Sequence, residues 1–109
     1  MATSKIEGRK VTTKTISTNN GTATVKCVQY GRVVFVSITI AVASDWGIGS
    51  GNRISFNLGN DIPLPSGLAS GSELLGIGVN VYSDGNVRCQ NNTGITLTDT
   101  YNISVTYIS

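Results

Sequence analysis

The chain contains no histidine. Histidine is the commonest general base, the usual partner of a nucleophilic serine, and the commonest metal ligand. The six acidic residues are scattered. Asp45 and Asp61 lie on either side of a predicted strand and could approach each other on folding, as glycoside cleavage requires of two carboxylates, but nothing in the sequence demands it. No glycine-rich phosphate loop opens a helix, because no window shows sustained helical periodicity. The sequence therefore predicts a protein that is not an enzyme, with no catalytic residue, no metal site and no cofactor.

Charge is also scarce. Charged residues make up 13% of the chain, against roughly 25% in an average soluble domain. The basic residues that give the net charge of +2 are concentrated near the N-terminus, and the rest is close to neutral. Nucleic-acid binding needs clustered cations interleaved with aromatic residues, so no nucleic-acid partner is expected. No apolar run approaches the roughly 18 residues of a membrane span, so no membrane insertion is expected.

Cysteine is limited to Cys27 and Cys89, both inside predicted strands. They are either two small buried hydrophobic residues or one disulfide between strands, which requires Cα atoms within about 7 Å. The N-terminus has no apolar segment of a secretory signal, which favours synthesis in a reducing cytosol. Residues 1–10 are expected to form a flexible leader or linker, and residues 11–109 a single domain.

Valine, isoleucine and threonine are abundant, and they alternate in short runs separated by turn signals. The run from Val33 to Ala43 is apolar on both faces, which predicts a central strand or one that covers an interface. Pro63 and Pro65 mark a segment that leaves the sheet. The fold class predicted is all-β: an antiparallel β-sandwich, jelly-roll-like, of about eight short strands. The predicted strands are 11–17, 22–30, 33–43, 53–58, 75–81, 87–89, 95–97 and 101–107.

The loop from Ser44 to Asn52 contains Trp46, the single tryptophan of the chain. Loops on rigid β scaffolds often carry binding sites. An exposed indole ring would stack on a sugar, and Asp45, Asn52 and Arg53 would bind its hydroxyls, which makes these four residues the candidate ligand site. The alternative is that Trp46 folds back to cap the end of the domain, or packs at a subunit contact.

The order of the elements resembles the C-terminal head, or receptor-binding, domain of siphophage-type bacteriophage tail-fibre and baseplate proteins. A hairpin enters a long apolar strand, a second strand leads to a proline-containing crossing, and an Asp-Gly hairpin precedes a terminal Tyr-Ile strand. These segments are Tyr30-Gly31-Arg32-Val33-Val34, Phe56 to Pro65, Tyr82-Ser83-Asp84-Gly85-Asn86-Val87 and Tyr101 to Ile108.

The resemblance implies a homotrimeric viral adhesion module that recognises bacterial cell-surface saccharide. Its other partner would be an upstream tail or baseplate protein, and its location the virion, after synthesis in the bacterial cytoplasm. Two alternatives remain open. One is a structural trimerising cap or decoration domain of a virion without its own ligand. The other is a monomeric bacterial carbohydrate-binding domain.

Overall fold

The computed structural model describes residues 9–72 and 76–109, which form eight strands and one short 3-10 helix, Ser50–Asn52. No helix in these two ranges is long and apolar enough to cross a membrane. The strands are β1 (Arg9–Thr18), β2 (Gly21–Tyr30), β3 (Val33–Val42), β4 (Ile54–Asn57), β5 (Ala69–Ser72), β6 (Ile77–Val81), β7 (Asn86–Asn91) and β8 (Thr100–Ile108).

The strands form two antiparallel four-stranded sheets. The first sheet has the order β1-β2-β3-β8, and the second has the order β4-β7-β6-β5. In the second sheet β5, β6 and β7 follow one another, and β4 lies beside β7, so the long connection 58–68 completes a Greek key. The prediction of an all-β antiparallel sandwich is confirmed, and β3 is an inner strand of its sheet.

The core lies between the sheets and follows the period-2 alternation of the strands. Along β3 the even-numbered residues from Val34 to Ile40 are buried and the odd-numbered ones are exposed or half-buried. Cys27 and Cys89 are both buried free thiols, one in each sheet. Burial raises the pKa of Cys27 and raises that of Cys89 to about 12, so both thiols stay protonated and unreactive. The interpretation as two small buried hydrophobic residues is therefore the correct one.

Apart from shifts of one or two residues at other strand ends, the structure differs from the predicted strands at three places. β1 begins at Arg9, so Arg9 and Lys10 belong to the sheet. Residues 1–8 and Leu75, the predicted start of the fifth strand, lie outside the described residues. The strand predicted at 95–97 is wrong, because only one bridge, from Leu97 to Trp46, forms there. β5 was not predicted, since Ala-Ser-Gly-Ser shows no alternation of large apolar residues.

The two sides of the sandwich are closed by different contacts. On one side Lys14 of β1 donates to the carbonyl oxygen of Leu58 at 2.9 Å and to the carboxylate of Asp61 at 2.7 Å. On the other side β5 approaches β8 so closely that a Cβ at Gly71 would collide with the carbonyl oxygen of Ser104. Lysine on an edge strand also discourages pairing with another chain.

Candidate functional site

A polar depression of about 230 Å³ lies at one end of the sandwich. It is formed by the turn between β1 and β2, the loop after β3, and the residue that precedes β4. Three of the four residues predicted from the sequence, Asp45, Asn52 and Arg53, line it together. We call this surface the end depression; its lining residues are Asn19, Asn20, Ser44, Asp45, Gly51, Asn52 and Arg53.

Two asparagines of the β1–β2 turn fix the walls of the end depression. Asn19 donates from Nδ2 to the carbonyl oxygen of Arg53 at 2.8 Å and accepts the backbone N–H of Ser55 at 2.9 Å. Asn20 accepts the backbone N–H of Ser44 at 3.0 Å and donates to the carbonyl oxygen of Asp45 at 3.3 Å. Both asparagines lie between the first two predicted strands, 11–17 and 22–30, but no pattern in the sequence connects them with the site.

The charged side chains of the end depression keep free hydrogen-bonding groups. Within residues 9–72 and 76–109, the exposed Asp45 carboxylate has no hydrogen bond or ion pair. Arg53 donates from Nε to Oε1 of Gln90 at 3.1 Å, which leaves its two terminal NH₂ groups as donors. The end depression therefore offers a carboxylate acceptor and a guanidinium donor to a ligand.

Trp46 does not take part in this surface. Its side chain is fully buried, and its ring packs edge-on against Tyr101 with centroids 6.3 Å apart. Its backbone N–H donates to Leu97 at 2.8 Å and its carbonyl accepts from Leu97 at 3.0 Å, which turns the side chain inward. The prediction of an exposed ring that stacks on a sugar is wrong; Trp46 folds back into the end of the domain.

Asn91 holds the Trp46 loop in place and was missed from the sequence. It is a fully buried polar residue of β7. Its Nδ2 donates to the carbonyl oxygens of Trp46 at 3.0 Å and Ile95 at 2.8 Å, and its Oδ1 accepts from the backbone N–H of Thr93 at 3.0 Å. A fully bonded buried amide of this kind defines one loop conformation. Its signal in the sequence was an asparagine in an otherwise apolar inward position.

The chemistry available at the end depression is hydrogen bonding. Asp61 does not line the end depression; its carboxylate forms an ion pair with Lys14. Among the residues that the structure describes, no group of three or more cysteine, aspartate or glutamate side chains is placed to hold a metal ion. The arrangement fits reversible binding of a polar, hydroxyl-bearing ligand.

No protein-family model, curated protein or solved structure matches the chain. Its function is therefore inferred from its own residues and from the resemblance in element order.

Proposed function

We propose that the chain is the adhesion head of a bacteriophage tail fibre or baseplate, joined to an upstream tail or baseplate protein, and that it binds bacterial cell-surface saccharide as a homotrimer. The observation that carries the proposal is the end depression, where Asp45 and Arg53 present uncommitted polar groups from walls fixed by Asn19 and Asn20. The phage context comes from the resemblance in element order alone.

A saccharide suits the end depression because each sugar hydroxyl both donates and accepts a hydrogen bond. A carboxylate accepts from such hydroxyls and a guanidinium donates to them, so Asp45 and Arg53 are complementary to neighbouring hydroxyls. The side-chain amides of Asn19 and Asn20 form hydrogen bonds with the backbone that fix the surface before the ligand arrives. This lowers the entropy cost of binding. Because Trp46 is buried, binding at this surface relies on hydrogen bonds and is weak for one copy. Three linked copies would strengthen it by avidity.

Binding to an array of bacterial envelope saccharides tests the proposal. Asp45→Asn and Arg53→Gln should each weaken binding of the best glycan by about 10- to 100-fold, the effect of losing a hydrogen bond to a charged group. The controls are Asp99→Asn and Lys26→Gln, which each remove one charge from a residue that does not line the end depression and should bind like the wild type. Absence of binding to any envelope saccharide, or equal binding by the site and control variants, would overturn the proposal.

The homotrimer is supported by apolar surface on the outer face of the first sheet. Val11, Val28 and Phe35 lie opposite one another on neighbouring strands, and Tyr30, Val33 and Ile108 form the next row. Phe35 is 45% exposed and Tyr30 is 48% exposed. We call these six residues the apolar rows. A closed assembly of three copies would bury them. The same rows favour the second candidate function, a trimerising virion cap without its own ligand.

A further inference from the structure

The outer face of the second sheet carries a second depression, of about 360 Å³. It lies over β4 and β7 and is separate from the end depression, with which it shares no lining residue. We call it the face depression; its lining residues are Ser55, Phe56, Asn57, Asn86, Val87 and Arg88.

Arg88 supplies the charge of the face depression. Its guanidinium carbon lies 5.2 Å from the ring centroid of Tyr82, close enough for a cation–π contact that orients the planar group. Within residues 9–72 and 76–109, Arg88 makes no hydrogen bond and no ion pair. An oriented guanidinium with free donors binds carboxylate and phosphate groups in a bidentate manner.

Among residues 9–72 and 76–109, no acidic side chain lines the face depression. The nearest carboxylate along the chain, Asp84, makes no ion pair with Arg88; its two oxygens accept the backbone N–H and Nδ2 of Asn86, both at 3.0 Å. Asn57 donates to Oδ1 of Asn86 at 3.0 Å, and so the two amides hold each other in place. In the part of the chain that the structure describes, the guanidinium of Arg88 thus lies among neutral amide and hydroxyl groups and has no ion-pair partner.

We infer that the face depression is a second subsite, and that it takes an anionic group, carboxylate or phosphate, of an acidic saccharide. The inference rests on the proposed function and specifies its ligand. Arg53 of the end depression points to the same side of one extended segment as Ser55 and Asn57 of the face depression, which lie roughly 7 and 13 Å from it along the strand. One oligosaccharide is therefore long enough to contact both depressions, passing Arg53 at the border of the end depression and its partner Gln90.

A nucleic acid is the less suitable polyanion. Its phosphates recur at every nucleotide and require a track of several cations. The outer face of the second sheet offers Arg53 and Arg88 among neutral side chains, namely Ser55, Asn57, Ser70, Asn80, Asn86 and Gln90. Spaced charge with many hydroxyl and amide groups fits a sugar polymer that carries an occasional acid.

The test measures binding to an array of oligosaccharides in matched sets. Each set contains a neutral, a carboxylated and a phosphorylated form of the same sugar chain. The wild type should prefer an acidic form. Arg88→Gln should weaken binding of that acidic form at least tenfold and change binding of its neutral counterpart less than twofold. The control is Lys26→Gln, which removes one charge from the outer face of the opposite sheet and should have no effect.

The outcomes separate this inference from the proposed function. Binding of neutral and acidic forms alike, or equal effects of the Arg88 and Lys26 variants, overturns the subsite even when Asp45→Asn abolishes binding. Dependence on Arg88 without dependence on Asp45 supports the subsite and overturns the end depression. If a single-stranded oligonucleotide displaces the acidic glycan from the wild type but does not bind Arg88→Gln, the face depression is a nucleic-acid site, and the inference is also overturned.

Discussion

At the scale of single residues, Trp46 determines the shape of the loop that carries Asp45. Its indole ring is fully buried, while its Nε1–H is the one buried side-chain polar atom without a hydrogen bond partner in residues 9–72 and 76–109. A buried unpaired donor destabilises a fold, since its desolvation is not compensated. The ring therefore stabilises the domain by packing alone.

This packing role predicts different effects for two substitutions at Trp46. Trp46→Ala should lower the free energy of unfolding by about 3–5 kcal/mol, as for other large aromatic side chains removed from a core. Trp46→Phe should cost less than half as much, because it keeps one ring and removes the unpaired N–H. Urea unfolding followed by far-ultraviolet circular dichroism measures both. Equal losses for the two variants would show that the indole nitrogen contributes a stabilising bond.

The contact between Lys14 and Asp61 predicts a specific dependence of stability on acid. The hydrogen bond from Lys14 is the main reason that the pKa of Asp61 is lowered. A carboxylate with a lowered folded-state pKa stabilises the fold above its unfolded value, roughly 3.9. This contribution is lost as the pH falls through the lower folded value. Asp61→Asn should therefore flatten the fall of the melting temperature below about pH 4.

Thermal melts of the wild type and Asp61→Asn between about pH 2 and 7 measure this difference. Asp99→Asn is the control, because Asp99 has no ion pair within the described part of the chain. The side chain of Asp61 is 55% exposed, so high salt should weaken the effect by screening. An identical acid profile for the two variants would contradict the assignment.

At the scale of the elements, the approach of β5 to β8 depends on the absence of a side chain at Gly71. A Cβ added there would collide with the carbonyl oxygen of Ser104 and lie 3.2 Å from side-chain atoms of Val79 and Val105. Gly71→Ala should therefore separate the strands at a cost of about 1–3 kcal/mol. Gly67→Ala is the control, because nothing lies within 4 Å of its added Cβ, and it should change stability by less than about 0.5 kcal/mol. Equal stability of the two variants, measured by urea unfolding, would show that the strands move apart freely.

The long strands were predictable from the sequence because their apolar residues alternate. β2 and β8 each bury every second residue along most of their length, and that period is visible without a structure. β5 was not predictable, since its small residues are placed by backbone pairing with β6. The alternation of Ile95 and Leu97 wrongly predicted a strand. Ile95 is 65% exposed, and Leu97 makes a single bridge.

The candidate site was predictable only in part, for the same physical reason. Asp45, Asn52 and Arg53 are close in sequence, so one loop brings them together. Asn19 and Asn20 come from a turn more than twenty residues earlier, and tertiary hydrogen bonds bring them to the site. The orientation of Trp46 depends on its bridge to Leu97, a contact of long sequence separation that no local pattern indicates.

At the scale of the whole molecule, the outer face of the first sheet divides into two parts. The apolar rows lie near the β2–β3 turn, and the remaining rows toward the β1–β2 turn carry mostly threonine and serine. Tyr30 and Phe35 contact each other edge-on, with ring centroids 6.1 Å apart, and both remain about half exposed. The charged side chains of this face are Lys26 and Arg9, which lies opposite Tyr30 on the edge strand β1. The apolar rows can therefore be buried against copies of the same chain with Arg9 at the rim of the contact.

The proposed homotrimer predicts that a charge within the apolar rows will dissociate it. Phe35→Glu should convert the trimer to a monomer in size-exclusion chromatography with light scattering, because burying an unpaired carboxylate is strongly unfavourable. Thr24→Glu places the same charge in the threonine-rich part of the same face and should leave the trimer intact. The wild-type melting temperature should also rise with protein concentration, as mass action requires for an assembly coupled to folding. A wild-type monomer would contradict the trimer and leave the monomeric carbohydrate-binding domain as the better description. If Phe35→Glu remains a trimer, the interface between the copies lies away from the apolar rows.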